Sequence, residues 1–306
     1  MYGWIGKILK KDSVLENAGR LLKYLPQPLI HLCCRAACRL MCVFAVPLRK
    51  QVKQNMDELL VNKSQKQISC FSRNYFYNLI ITLYEILIES YALDRIKDIK
   101  FRTEGEIHLR EVLNLGRGAI IFAPHMGNFF YYYWYLSKNY PCLTVVTAGS
   151  DELRPLYLMF QRSGCSGLDY DSTSPLKLLR ALRSHLKSNG VVFLLGDFWR
   201  PVFPLSTMFG RPMRSPAGTA ALALENQIPV IPFYGYREQT FKHRLVFRQP
   251  IFLHEEFKTH QRAEATKRLN LFLEQVVTEW PEQWFYWFNV NERWEIGGTY
   301  HSPGYL

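Results

Sequence analysis

The stretch GRGAIIFAPHMGNFFYYYW, residues 116–134, changes texture twice within nineteen positions. It opens with a glycine-bounded run of β-branched and aromatic residues, the composition of a short strand buried on both faces. It then passes through Pro-His-Met-Gly-Asn and enters an aromatic segment with no polar side, which reads as a helix over roughly 127–138. His125 stands at the junction, just past the end of the strand. Open α/β sheets bind their ligands at this end of their strands. Gly127 permits close approach of backbone to a ligand, and amides at a helix N-terminus favour an anion or a developing oxyanion. On the residues alone, two readings of His125 stay open: a general base, and a side chain that caps a helix or closes a turn.

The same alternation recurs further along the chain. CLTVVTA at 142–148, GVVFLLGDF at 190–198 and IPVIPFYGY at 228–236 are further apolar strand patterns, and helical patterns lie between them at about 151–164, 174–188 and 215–226. Short continuous strands alternating with helices indicate an α/β fold, a mainly parallel sheet covered by helices on both faces. HRLVFRQPIFL, 243–253, adds a strand or strand pair. Residues 260–280 form an amphipathic helix that stops before Pro281, and FSRNYFYNLIITLYEILIESYAL, 71–93, a long apolar one. Its acids Glu85 and Glu89 share a face at i, i+4, as a solvated stripe or as the lining of a polar cavity.

The composition is 48% hydrophobic and 15% aromatic, which excludes a disordered chain, and the formal charge is +12. Residues 1–66 hold twelve Lys/Arg against four Asp/Glu, so two thirds of the excess lies in the first fifth. This end is expected to meet an anionic partner. Residues 25–48 read as a helix with His31, Arg35 and Arg39 on one stripe and apolar residues around the rest. That pattern fits a helix lying in a membrane interface, and equally a domain helix with one wet stripe. Lys7, Lys10, Lys11, Arg20 and Lys23 lie upstream and tip the balance toward membrane contact. We therefore divide the chain into a basic, membrane-facing helical region, 1–66, and an α/β core, 67–306, packed together as one domain. No run of 18 apolar residues and no signal-peptide pattern occurs. Seven cysteines, four of them between Cys33 and Cys42, read as reduced thiols; Cys34, Cys38 and Cys42 at i, i+4, i+8 lack the CxxC pair that would make a zinc site specific. No phosphate-binding glycine motif follows a strand, and no nucleic-acid recognition motif interleaves the basic and aromatic residues.

Four blocks carry a family likeness. EGEIHLREVLNLGRGAIIFAPHMGNFF (104–130), NYFYNLIITLYEILIE (74–89), GVVFLLGDFWRPVFPLSTMFGRPMRSPAGTAALALENQIPVIPF (190–233) and WPEQWFYWFNVNERW (280–294) together resemble the lysophospholipid acyltransferase superfamily. They are especially similar to its lipid A biosynthesis acyltransferase branch, and they stand in the right order across roughly residues 20–294. The resemblance implies the superfamily's α/β fold and transfer of a fatty acyl group from an acyl carrier protein or coenzyme A thioester. The acceptor would be a hydroxyl or amine of a lipid, saccharolipid or specialised metabolite. It implies a cytosolic-face, peripheral or monotopic membrane location, no metal and no redox cofactor.

In that family the histidine of a His-x4-acid motif deprotonates the acceptor, and the acid orients its ring. Here Phe130 stands where the acid should be. Three explanations follow: another acceptor such as Asp197 or a backbone carbonyl orients His125; the acceptor is an amine that needs less help; or the protein keeps the fold and lipid groove as a non-catalytic binder of lipid or acyl carrier. Asp197 can reach the site rim, bind a headgroup or simply cap a turn. Gly127 and Asn128 are candidate oxyanion donors through their amides. Arg200, Arg211 and Arg214 can grip a phosphate or form a solvated basic face. Phe129 and Phe130 are core residues or the wall of an acyl pocket, and Ser184 and His185 read as surface residues.

Overall fold

The computed structural model describes residues 26–147 and 154–295. Two helices, α1 (Gln27–Phe44) and α2 (Val46–Leu59), meet at a bend of 93° and pack against α3 (Gln65–Leu87). A capping box at Ser64 and Gln67 starts α3. Then follow α4 (Leu93–Lys100), β1 (Phe101–Glu104), α5 (Glu106–Asn114), β2 (Ala119–Ala123), α6 (Phe129–Asn139) and β3 (Cys142–Val146). The chain continues through α7 (Arg154–Arg162), β4 (Gly167–Asp169), α8 (Pro175–Lys187), β5 (Val191–Leu195), the hairpin β6 (Leu205–Met208) and β7 (Arg211–Arg214), and α9 (Gly218–Asn226). It ends with β8 (Val230–Gln239), β9 (Lys242–Phe247), α10 (Leu253–Glu256), α11 (Arg262–Glu279) and three 3₁₀ turns between Pro281 and Arg293.

Seven strands form one sheet in the order β1-β9-β8-β2-β5-β3-β4. Pairing is parallel except between β8 and β9. The mainly parallel sheet expected from the strand patterns is present, and β2, the AIIFA run, is central and buried along its whole length. One apolar cluster fills the face covered by α2, α8, α9 and α11; a second fills the face covered by α4, α5, α6 and α7. The segment 243–253 yields one strand, and Ile251 then makes a single bridge to Val230. Gly118, at φ +70°, leads into β2 where a Cβ would lie 2.6 Å from the Leu186 carbonyl, so only glycine fits. FGRP is a tight hairpin: Phe209 and Gly210 both have positive φ between paired Met208 and Arg211, as two-residue turns matching strand twist require.

The N-terminal helices join the core. Val52, Met56 and Leu59 of α2 are buried in the first cluster, and α1 buries Ile30, Cys34 and Cys38 against the α3 side. Burial raises the Cys34 thiol to about 11 and that of Cys38 to about 12, so both are inert thiols in packing. Among the described residues no His/Cys/Asp/Glu group could hold a metal ion. Arg35 and Arg39 are exposed as expected, whereas His31 is half-buried against Tyr77. The upstream lysines and arginine, Lys7 to Lys23, lie outside the described residues. No described helix is long and apolar enough to cross a membrane alone; α1 with α2, and α3 with the segment after it, reach that length only as bent pairs.

Candidate active site

The register of the sheet builds the site. Ala123 of β2 pairs with Leu195 of β5 in parallel, so the residues two positions past each strand end emerge side by side. Those residues are His125 and Asp197. The Asp197 carboxylate accepts the His125 backbone N–H at 2.9 and 3.1 Å and approaches His125 Nδ1 at 2.6 Å. Trp284 donates its indole N–H to the second carboxylate oxygen at 2.7 Å, and Arg293 donates to the Asp197 carbonyl at 2.6 Å. Asp197 is fully buried. Burial alone would raise its carboxyl, but the charge and hydrogen bonds of His125, with the Trp284 hydrogen bond, prevail and hold it below the ordinary range. An ionised acid at Nδ1 fixes that nitrogen as the donor and leaves Nε2 to exchange protons. Tyr286 brings its hydroxyl to 3.3 Å from Nε2.

His125 lines a cavity of about 1180 Å³ at the carboxyl ends of the strands. Its walls draw on both apolar clusters: Leu178 and Leu182 from one face of the sheet, Ile86, Phe130 and Phe160 from the other. Phe130 stacks between Phe129, at 4.4 Å between centroids, and Phe160, at 5.1 Å. Phe129 in turn meets the His125 ring edge-on at 4.8 Å. The residue standing where a helix-turn acid was expected is therefore part of an apolar wall. Such a wall suits a fatty acyl chain, each buried methylene of which contributes about 0.8 kcal/mol.

The family model for bacterial lipid A biosynthesis acyltransferases matches residues 12–294. The chain belongs to that family. As an acyltransferase it is also similar, at 13% identity and a TM-score of 0.37, to the crystal structure of the 1-acyl-sn-glycerophosphate (LPA) acyltransferase PlsC from Thermotoga maritima. That likeness covers 83% of this chain and 98% of the other. No curated protein matches the sequence significantly.

The acyltransferase site gathers some of the residues read from the sequence and rejects others. His125, Gly127, Phe129, Phe130 and Arg200 line the cavity, and Asp197 sits directly behind His125. Arg200 is tied to Asp171 at 3.0 Å and lies over the rings of Phe198 and Tyr170. Arg211 and Arg214 do not reach the cavity. Their hairpin turns them to Glu58 at 3.3 Å and to Glu295 at 2.6 Å, so this pair does not grip a phosphate in the cavity. The amides of Gly127 and Asn128 are also not oxyanion donors. The Gly127 N–H donates to the Gln283 carbonyl at 2.8 Å, and the Asn128 N–H to the Tyr132 hydroxyl at 3.2 Å. Asn128 is buried, its side chain capping α6 at Tyr131 and donating to Glu85 at 3.0 Å. His185 bonds the Pro141 and Val191 carbonyls, away from the cavity.

Glu85 is neither a solvated stripe nor a cavity lining. It is fully buried and accepts from Lys100 at 2.9 Å, Arg237 at 2.5 Å and His243 at 2.8 Å besides Asn128. Glu89 shares Lys100. Burial would raise the Glu85 carboxyl, but Arg237, His243 and Lys100 together hold it well below its ordinary value. Through Asn128 this cluster sits one residue behind Gly127 and supports the loop that carries His125. Sequence reasoning missed Trp284, Tyr286 and Arg293; their one signal is their place in the WPEQWFYWFNVNERW block that carries part of the family likeness.

Phe130→Glu tests whether an acid one helical turn from His125 is wanted here. We expect no gain in turnover. A carboxylate between the Phe129 and Phe160 rings must lose its water or take up a proton, and stability falls. Thermal melts and long-chain thioester turnover both decrease; a rise in kcat would show that the helix-turn acid still has a place.

Proposed function

We propose that this protein is a membrane-associated acyltransferase that moves a fatty acyl group from an acyl carrier protein or coenzyme A thioester to a hydroxyl or amine acceptor. The observation that carries the reading is the 2.6 Å pairing of His125 with buried Asp197 at the mouth of a large apolar cavity. His125 Nε2 takes the acceptor's proton as the acceptor attacks the thioester carbon, and Asp197 stabilises the resulting imidazolium. The thioester supplies an activated acyl group, so the step asks for no metal or redox cofactor. A protein that had abandoned turnover would have no need of an ionised acid held dry against His125, the one histidine among the described residues that line the cavity.

The positive charge of the chain suits an acidic carrier protein and anionic headgroups alike. On α1, the face opposite the buried Ile30, Cys34 and Cys38 is also apolar: Leu32, Leu40, Val43 and Phe44 are each at least 60% exposed, with Arg35 and Arg39 beside them. Such a helix lies well in a membrane interface, and a carrier-bound donor would be met at the cytosolic face of the inner membrane, which is the location this reading implies.

The test incubates purified protein with acyl thioesters and a panel of lipid, sugar and amine acceptors, wild type beside His125→Ala. Transfer that survives His125→Ala would sink the mechanism, and no transfer to any acceptor would favour a lipid- or carrier-binding role. For the membrane, the double variant Leu40→Asp/Phe44→Asp is expected to weaken binding to anionic vesicles by about 10²- to 10⁴-fold, since each such side chain contributes roughly 1.5–3 kcal/mol when fully buried. Unchanged cosedimentation would place the membrane contact elsewhere.

A further inference from the structure

We propose that Tyr286 is a catalytic residue that donates its phenolic hydrogen bond to the oxyanion formed when the acceptor attacks the thioester carbonyl. The proposal rests on the acyltransferase reading above. Because His125 Nδ1 is committed to Asp197, Nε2 must hold the attacking acceptor atom, and the carbonyl carbon must come within about 3 Å of that atom. The Tyr286 hydroxyl lies 3.3 Å from Nε2 and its residue lines the cavity. It is therefore within reach of the place where the carbonyl oxygen gains charge.

The ring is held from three sides. It meets the His125 ring edge-on at 4.8 Å and the Trp284 ring at 6.1 Å, and the Arg293 guanidinium sits 3.4 Å from its centroid. Arg293 is itself fixed by its hydrogen bond to the Asp197 carbonyl, so base, acid and phenol form one connected unit. Burial keeps the phenol protonated far above neutral pH, with the nearby Arg293 charge pulling the other way, so a polarised O–H rather than a phenolate faces the site. The loop amides that would otherwise serve, those of Gly127 and Asn128, already donate elsewhere.

In the resting site the phenol donates to the Nε2 lone pair. When the acceptor arrives, its proton moves to Nε2 while its lone pair forms the bond to the thioester carbon. The carbonyl π pair moves onto oxygen, where the Tyr286 O–H turns to meet it without giving up its proton. The pair then returns to re-form C=O, the C–S bond breaks, and the sulfur leaves with the bonding pair and takes the proton from Nε2. The products are the acylated acceptor and the free thiol.

Tyr286→Phe retains the ring and its packing and removes the donor. Thiol release from an acyl-coenzyme A thioester, with the acceptor panel or with water as slow acceptor, is expected to fall about 10²–10³-fold in kcat, with the thioester KM and the melting temperature little changed. Polyfluorinated tyrosine at 286, nearly the same shape with a much more acidic phenol, should bring an alkaline limb of the kcat–pH profile down into the measurable range, which a purely structural role would not do. A Tyr286→Phe protein with undiminished or higher kcat, or an alkaline limb that ignores fluorination, overturns the proposal and returns the role to the first-turn amides of α6 at Phe129 and Phe130. Turnover that depends on His125 but not on Tyr286 sinks this proposal alone; turnover indifferent to His125→Ala sinks the acyltransferase reading with it.

Discussion

Asp197→Asn is expected to lower kcat for acyl transfer by about 10³–10⁴-fold, the scale seen when the acid of a hydrolase triad becomes its amide. The acid makes four contacts here: two with the His125 main-chain N–H, one with Nδ1 and one with the Trp284 indole. An asparagine oxygen can still accept from the main chain or the indole, so the fold should survive. Its amide N–H₂, however, can only donate. Turned toward Nδ1 it enforces the wrong tautomer and places a hydrogen on Nε2, the nitrogen that must receive the acceptor's proton. Turned the other way it confronts the indole N–H. Circular dichroism melts separate a lost fold from lost chemistry. Adding Phe130→Glu to Asp197→Asn should restore nothing, because the Phe130 ring belongs to the acyl wall and is stacked away between Phe129 and Phe160. A folded Asp197→Asn protein with near wild-type kcat would exclude Asp197 as the group that orients the base.

Glu85→Gln is expected to have the largest effect on stability, roughly 3–5 kcal/mol, the usual cost of leaving buried charges without their counterion. A glutamine in that place leaves the almost wholly buried Arg237 facing a neutral amide and Lys100 with Glu89 alone. For a chain of this size the melting temperature should fall on the order of 10 °C. The same cluster makes the protein acid-labile. The Glu85 carboxyl is depressed in the folded state, so its contribution is full above the unfolded value and is lost as pH falls through the folded one. His243 adds to this in the same direction: burial lowers it to about 4, so between its unfolded value of about 6.5 and pH 4 the unfolded chain binds a proton that the folded chain refuses. Stability should decline from about pH 6.5 downward, and Glu85→Gln should remove only the lower, carboxylate part of that decline, because Glu85 raises His243 and its loss leaves the histidine step in place. A variant with an unchanged melt and an unchanged acid transition would mean that Lys100 and Arg237 find other partners.

The sheet was legible from the sequence because β2, β3, β5 and β8 are continuous apolar runs bounded by glycine or proline, and nothing competes with that pattern. His125 was legible for the same reason, standing at a strand end before a helix. Asp197 was visible only as one option, because its distance from His125 follows from the pairing of Ala123 with Leu195, and a single chain of letters carries no register. Glu85 resisted altogether. Its spacing from Glu89 says that they share a face of α3, yet the donors that claim that face come from α4, β8 and β9, up to 158 residues away. Arg211 and Arg214 misled in the opposite way: closeness to FGRP suggested a cluster, but the tight turn carries both to acids on other elements. On α1 both long faces are apolar, so periodicity could not say which would pack and which would stay exposed.

The origin of the acid on a neighbouring strand has a consequence for how such an enzyme can diversify. With base and acid locked together by β2 and β5, position 130 carries no electrostatic duty and is free to vary in size. On the proposed mechanism, changes there would retune which chain lengths fit without disturbing proton transfer, so selectivity and turnover would become separately adjustable traits.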